Sequence, residues 1–180
     1  MIRPFGNRRL RIALGLFVDG LLFGAAFPWM CLVAGRWADG VAAEHLTLGH
    51  PVFPVAGAAL LAAGGGWLVW AWAMLVRKGN GHLTELFGLE ISPVTDRLVT
   101  SGPFAFGRHP ICLGYVVIIS GLGMAIGSPG TAFILPPLLL AGAGWYVLRF
   151  EEPRLAARFG EAYARYRQRA PLFISWKKEL

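Results

Sequence analysis

Residues 52–76 read VFPVAGAALLAAGGGWLVWAWAMLV, an unbroken run from Val52 to Val76 without a charged side chain. A helix needs roughly 20 apolar residues to cross about 30 Å of hydrocarbon, so this run is long enough to span a bilayer. Three further apolar stretches flank it. Toward the N-terminus, Ile12 to Ala34 is interrupted only by Asp19; it is too long and too poorly flanked for a cleaved signal peptide. Toward the C-terminus, a shorter stretch runs from Ile111 to near Gly127, and another from Ala132 to Phe150, with Arg149 at its end. Ser128-Pro129-Gly130-Thr131 reads as a tight turn that makes these last two a hairpin. The pattern predicts an all-α, polytopic membrane protein with about four transmembrane helices, folded as one integral membrane domain over residues 1–180.

Composition agrees. Hydrophobic residues make up 56% of the chain and charged residues 15%, against about 45–50% and about 25% in soluble domains. This argues against a soluble enzyme and more strongly against a disordered chain. The two cysteines, Cys31 and Cys112, cannot build a disulfide scaffold.

The formal charge is +7, and its distribution points to a membrane surface rather than nucleic acid. Arg3, Arg8, Arg9 and Arg11 precede the first stretch. Arg77, Lys78, Arg97 and Arg108 lie between the second and third, and the remaining basic residues run from Arg149 into the tail. Of the 17 basic side chains, only Arg36 falls on the other side of the alternation. The positive-inside rule then places both termini in the cytoplasm of a multi-pass protein, in a cell inner membrane or an endomembrane. Residues 151–169 read as a cytoplasmic amphipathic helix, with Leu155, Phe159, Ala162, Tyr163 and Tyr166 at helical spacing and Glu161 four residues before Arg165.

Segment 77–110 is long, polar and punctuated by glycine and proline; such loops are functional or disordered. It ends in Leu98-Val99-Thr100-Ser101-Gly102-Pro103-Phe104-Ala105-Phe106-Gly107-Arg108-His109-Pro110. Pro110 suits the first position of a helix, and the residue before a proline is pushed out of the helical region. Arg108 and His109 therefore stand at a helix mouth, where unpaired N–H groups and the dipole favour an anion. An arginine there also serves as an ordinary headgroup anchor. The second feature is Arg149-Phe150-Glu151-Glu152-Pro153. Two carboxylates at a helix C-terminus oppose the dipole, and Pro153 is expected to break or kink the chain there. An ion pair marking the water boundary is the plain alternative. The two features face one compartment from hairpin partners, so they are expected to meet.

In combination and order these motifs resemble the isoprenylcysteine carboxyl methyltransferase and phospholipid methyltransferase superfamily of integral membrane enzymes. The likeness rests on Leu98 to Phe104, Arg108 to Gly114, Glu151-Glu152 and Phe159-Gly160-Glu161-Ala162-Tyr163-Ala164-Arg165-Tyr166, with Pro171 and Phe173 in the tail; it covers about residues 96–175. Residues 1–76 would be two N-terminal spans and 77–180 the methyltransferase core. The resemblance implies S-adenosylmethionine as cofactor and a lipid-like or prenylated methyl acceptor, foremost a prenylcysteine-type carboxylate, with a phospholipid amine or a thiol as alternatives. The implied cofactor pocket uses Leu98, Val99, Phe104, His109, Pro110, Ile111 and Cys112, with Glu151 or Glu152. Arg108 and Arg149 take the implied catalytic places, Arg149 on the acceptor side. Cys112 and Phe104 stand where the superfamily carries tyrosines, and Tyr115, three residues after Cys112, lies close to the same helical face.

The residue types suit that chemistry. Arg108 and the helix mouth match a carboxylate; Glu151 and Glu152 match an ammonium or a ribose diol; Phe104 and Phe106 match an adenine or a sulfonium. His109 is the candidate base should the acceptor be an amine. No metal is expected, since His45 and His50 lack companion ligands. Asp19, polar within an apolar stretch, is a further candidate. Gly64-Gly65-Gly66, Gly123/Gly127 and Gly142/Gly144 read as helix-approach positions, and Pro136-Pro137 should bend the fourth stretch. A non-catalytic adaptor with a basic lipid-binding tail and a membrane reductase are the rival classes.

Overall fold

The computed structural model describes residues 17–18, 20–42, 48–79, 85–86, 89–90 and 95–174. Asp19 and His45 lie outside them. Helix α1 spans Phe27–Ala42 and follows a π-helical turn at Leu22–Ala26; α2 spans Val52–Met74 and widens into a π turn at Leu75–Gly79. A two-residue antiparallel strand pair follows, β1 (Glu85–Leu86) with β2 (Leu89–Glu90). A 3₁₀ turn at Gly102–Ala105 leads to α3 (Pro110–Ala125); then come a π turn at Gly130–Ile134, α4 (Leu135–Tyr146), a π turn at Val147–Glu151 and α5 (Glu152–Arg169). Apart from the strand pair, the turns and irregular segments such as 95–101, 106–109 and 170–174, the described residues are helical. Two helical runs are long and apolar enough to cross a membrane, Val52–Gly79 with 28 residues and Gly130–Arg169 with 40; α3, with 16, is shorter.

α2 and α3 lie antiparallel along a glycine seam. Gly57 faces Gly121 and Ala125, and Gly64 faces Gly114 and Ile118. A Cβ on Gly57 would stand 2.6 Å from the Gly121 carbonyl oxygen, so only glycine permits the approach. The seven-residue spacing on both helices keeps these positions on one face. Gly65, Gly66 and Gly142 instead face open space, and Gly144 meets the Phe173 ring rather than a helix. Gly123 does pack, against Ala132 across the hairpin, but Gly127 is a turn glycine with φ 72°.

The hairpin turn is pinned from α1. That helix continues past Ala34, where the apolar run ends, and carries Asp39 to the turn. The Asp39 carboxylate accepts bonds from the Gly130 N–H and the Ser128 hydroxyl, both at 2.6 Å. Ser128 Oγ in turn accepts from the Thr131 N–H at 3.2 Å, which closes the turn. At α2's start His50 does similar work, its Nδ1 accepting from the Val52 N–H at 3.3 Å.

One expectation about the last helical run needs correction. The chain neither breaks nor kinks at Pro153. The π turn Val147–Glu151 precedes it and leaves Pro153 in the first turn of α5, where a missing N–H costs nothing. The kink falls at Gly160, which has φ 51° and ψ −128°. It resets the helical phase, so Ala162 turns outward while Tyr163 and Tyr166 are buried. The Pro136-Pro137 pair likewise follows a π turn.

Tyr163 and Tyr166 join Ala71, Leu75, Val99, Phe104 and Ala170 in a core at the α2 C-terminal end. The helix exteriors are apolar: Trp29, Trp37, Val55, Val69, Leu138 and Trp145 are 61–71% exposed. An apolar surface of this kind suits contact with lipid.

Candidate functional site

The loop carrying Phe104 to His109 is held in place by the chain's C-terminal segment. The backbone N–H groups of Arg108 and His109 donate to the carbonyls of Pro171 and Leu172 at 2.9 and 3.1 Å. The Tyr166 hydroxyl donates to the Phe104 carbonyl at 2.6 Å. Gly107 lies so close to the Phe173 carbonyl that no Cβ fits between them. At the loop's end, the Trp67 indole donates to the Pro110 carbonyl at 2.9 Å.

The two motifs do meet. Arg108 Nε and Nη2 reach Glu152 Oε1 at 2.7 and 2.6 Å, and Nη1 donates to the carbonyls of Arg167 and Ala170 at 3.0 and 2.6 Å. Arg108 thus closes the C-terminal end of α5 as well as pairing Glu152. Arg167 Nε stands 3.4 Å from the second Glu152 oxygen. His109 is sandwiched, with Nδ1 3.4 Å from Glu151 Oε1 and Nε2 3.7 Å from Glu152 Oε1.

The electrostatics follow. Burial alone would raise the Glu152 carboxyl, but the facing His109 and the guanidiniums of Arg108 and Arg167 reverse this and hold it down at about 2. Burial works against a charged imidazole at His109, yet Glu151 and Glu152 outweigh it and raise its pKa above the ordinary value. Burial pushes the Tyr163 phenol up, and the charge of Glu152 adds to this. Three buried polar atoms around this cluster lack a hydrogen-bond partner: His109 Nε2, Glu152 Oε2 and the Tyr163 hydroxyl.

Beside the cluster lies a cavity of about 560 Å³ between α1, α3, α4, α5 and segment 95–99, within the usual range of small-molecule sites. Leu98, Val99, Phe104, Arg108, Ile111, Cys112 and Glu151 line it. His109, Pro110 and Glu152 stand behind that wall, and Arg149 is exposed and outside the lining. Of the two adjacent glutamates, the π turn thus gives Glu151 to the cavity and Glu152 to the buried ion pair. Phe106 is placed against Trp67, with ring centroids 5.9 Å apart, and is likewise outside the lining. Tyr115 lines the cavity one turn beyond Cys112 and packs against Phe23 and Phe27 of the first helical stretch.

Sequence reasoning missed several lining residues: the charged Arg97, Arg154 and Arg158, and the aromatic or apolar Phe23, Phe27, Leu138 and Tyr146. The arginines read as generic inside charges, and the apolar residues have no signature that separates them from lipid-facing neighbours. The cavity lining thus combines one carboxylate, Glu151, and four arginines, Arg97, Arg108, Arg154 and Arg158, with a larger set of apolar side chains. It can hold a charged, polar small molecule beside the end of a lipophilic one.

A model of the phospholipid methyltransferase family matches residues 53–162, from the second residue of α2 to just past the Gly160 kink. No curated protein and no solved structure matches the chain.

Proposed function

Given that the chain belongs to the phospholipid methyltransferase family, we propose that it is a multi-pass membrane enzyme that transfers a methyl group from S-adenosylmethionine to a lipophilic acceptor of prenylcysteine-carboxylate type. In this reading the chain crosses the bilayer four times, with both termini and the charged lining residues in the cytoplasm. The observation that carries it is one cavity whose lining holds both charged and apolar side chains.

The residues present fit the cofactor. Glu151 suits its ammonium and the arginines its carboxylate, while Leu98, Val99, Phe104 and Ile111 offer flat apolar walls for adenine. When bound, S-adenosylmethionine supplies a methyl group activated by a positive sulfonium. The chain's contribution is orientation and the exclusion of water, which can lower a displacement barrier by several kcal/mol. Arg97, Arg154 and Arg158 favour an acceptor that is anionic at neutral pH. An anionic acceptor held beside the positive sulfonium would be favoured electrostatically, and a dry site would strengthen that attraction.

One observation favours a second reading. Glu151 on the wall would also accept the ammonium head of a phospholipid. The two separate by incubating the purified protein with methyl-labelled cofactor and either a farnesylated cysteine derivative or phosphatidylethanolamine vesicles. Label that mild base releases as methanol marks a carboxyl ester and supports the proposal. Base-stable label in the phospholipid supports the second reading, and no labelling of either contradicts both.

A further inference from the structure

We propose that His109 is a positioning residue, held as an imidazolium between Glu151 and Glu152, which fixes Glu151 on the cavity wall to receive the cationic amine of a bound ligand. The charge of His109 rests on geometry alone; the identity of the ligand rests on the methyltransferase reading.

An ionised carboxylate only accepts hydrogen bonds. Each nitrogen of the His109 ring has a carboxylate oxygen as its nearest acidic neighbour, Glu151 Oε1 at 3.4 Å and Glu152 Oε1 at 3.7 Å. Either neutral tautomer would aim one ring lone pair at a carboxylate. Only the doubly protonated ring presents an N–H to both. The ring is 5% exposed, so bulk water does not relieve the conflict; Nε2 makes no hydrogen bond, and its 3.7 Å approach to Glu152 is a charge contact.

Two carboxylates face that charge. Arg108 on the same loop, Arg167 of α5 and the imidazolium stand against Glu151 and Glu152 of the α4–α5 run. From α5, Arg167 and Tyr163 approach Glu152, and Cys112 follows one turn into α3. The tail contributes a backbone carbonyl, Leu172, to the His109 N–H.

Two consequences follow. An imidazolium that stands behind the cavity wall takes no proton from an acceptor, so His109 is not the general base. It also anchors one Glu151 oxygen while leaving the carboxylate facing the cavity, where a primary ammonium can be held. The acceptor must then already be a nucleophile at neutral pH, as a carboxylate is.

The test uses the full chain, ¹⁵N-labelled and in micelles, with His109 ring signals assigned by their loss in His109→Gln. The proposal expects both ring nitrogens protonated at pH 7; a neutral ring there overturns it. Glu151→Gln, at a half-exposed position, should lower the His109 titration midpoint by about 1–3 pH units, and an unmoved midpoint also overturns it. Titrating S-adenosylhomocysteine, which carries the same amine, should show affinity reduced about ten- to a hundredfold in His109→Gln. Unchanged affinity refutes the positioning role. If the wild type binds no S-adenosylhomocysteine at all, the methyltransferase reading fails, while the ring signals still decide the charge of His109.

Discussion

Both Nε and Nη2 of Arg108 meet a single oxygen, Oε1 of Glu152, at 2.7 and 2.6 Å. With Nη1 on the carbonyls of Arg167 and Ala170, one guanidinium ties the loop before α3 to both ends of α5. A planar fork with donors on three sides is what this needs, and lysine has none.

Removing Arg108 strips the buried Glu152 carboxylate of its two closest donors and leaves it the longer contacts to Arg167 and His109. Arg108→Ala should therefore cost about 3–5 kcal/mol of stability. Arg108→Lys should recover part of the ion pair but not the closure of α5. Thermal unfolding of the two variants in one detergent gives the order wild type, lysine, alanine. Equal midpoints for all three would deny the pair a structural role.

The same contact sets an acid limit. The Glu152 carboxyl is held at about 2 against an ordinary value of 4.5. For a depressed acid the stabilisation is complete above the unfolded value and is lost as pH falls through the folded one. Stability should thus hold to about pH 4.5 and then fall by about 3 kcal/mol toward pH 2. In Glu152→Gln that portion of the acid dependence should vanish, as read from chemical denaturation at stepped pH.

Gly107 and Tyr166 seat the C-terminal segment. Gly107→Ala places a Cβ against the Phe173 carbonyl and should detach residues 171–174 from the loop. Tyr166→Phe removes a donor from the buried Phe104 carbonyl and should cost about 1–3 kcal/mol. Limited proteolysis should cut the tail faster in Gly107→Ala than in Tyr166→Phe. Wild-type resistance in both would mean that the tail is held elsewhere.

How much of this could be read from the chain depends on the kind of signal. The apolar runs and the meeting of Arg108-His109 with Glu151-Glu152 were legible, because periodicity and charge act locally and the hairpin turn forces the encounter. The kink was assigned to Pro153 rather than Gly160. A proline after a π turn sits harmlessly at a helix start, and a π turn has no sequence signature. Arg149, whose acceptor-side place is implied by the resemblance alone, is exposed and outside the cavity lining. The roles of Gly107, Asp39 and Tyr166 depend on contacts 59 to 91 residues apart, which no local pattern encodes. Of the seam glycines Gly64 alone reads from the sequence as a helix-approach position, and only the paired seven-residue spacing on both helices separates it from Gly65 and Gly66.

That seam gives a further expectation. In Gly121→Leu the side chain would run into the Gly57 carbonyl and Leu60, forcing α2 and α3 apart. A loss of at least about 3 kcal/mol, or failure to fold, is expected from overpacking of this kind, whereas Gly65→Leu should be nearly neutral. A comparison of folded yield after purification reads both. Similar losses at the two positions would contradict the seam.

Topology is open to direct chemical reading. In a background lacking Cys31 and Cys112, cysteines introduced at Thr84 and Ala164 should resist a membrane-impermeant maleimide in intact cells and react once the membrane is opened. Reaction at either position before opening would place that segment outside and remove the cytoplasmic cofactor argument.

The most direct measurement is photolabelling of the purified protein with methyl-labelled S-adenosylmethionine, followed by peptide mapping. Label on residues that line the cavity, such as Phe104, Ile111, Cys112 or Tyr115, competed away by S-adenosylhomocysteine, is the predicted result. Absence of competable label, or its appearance only outside the cavity, would contradict the assignment of this cavity as the cofactor site.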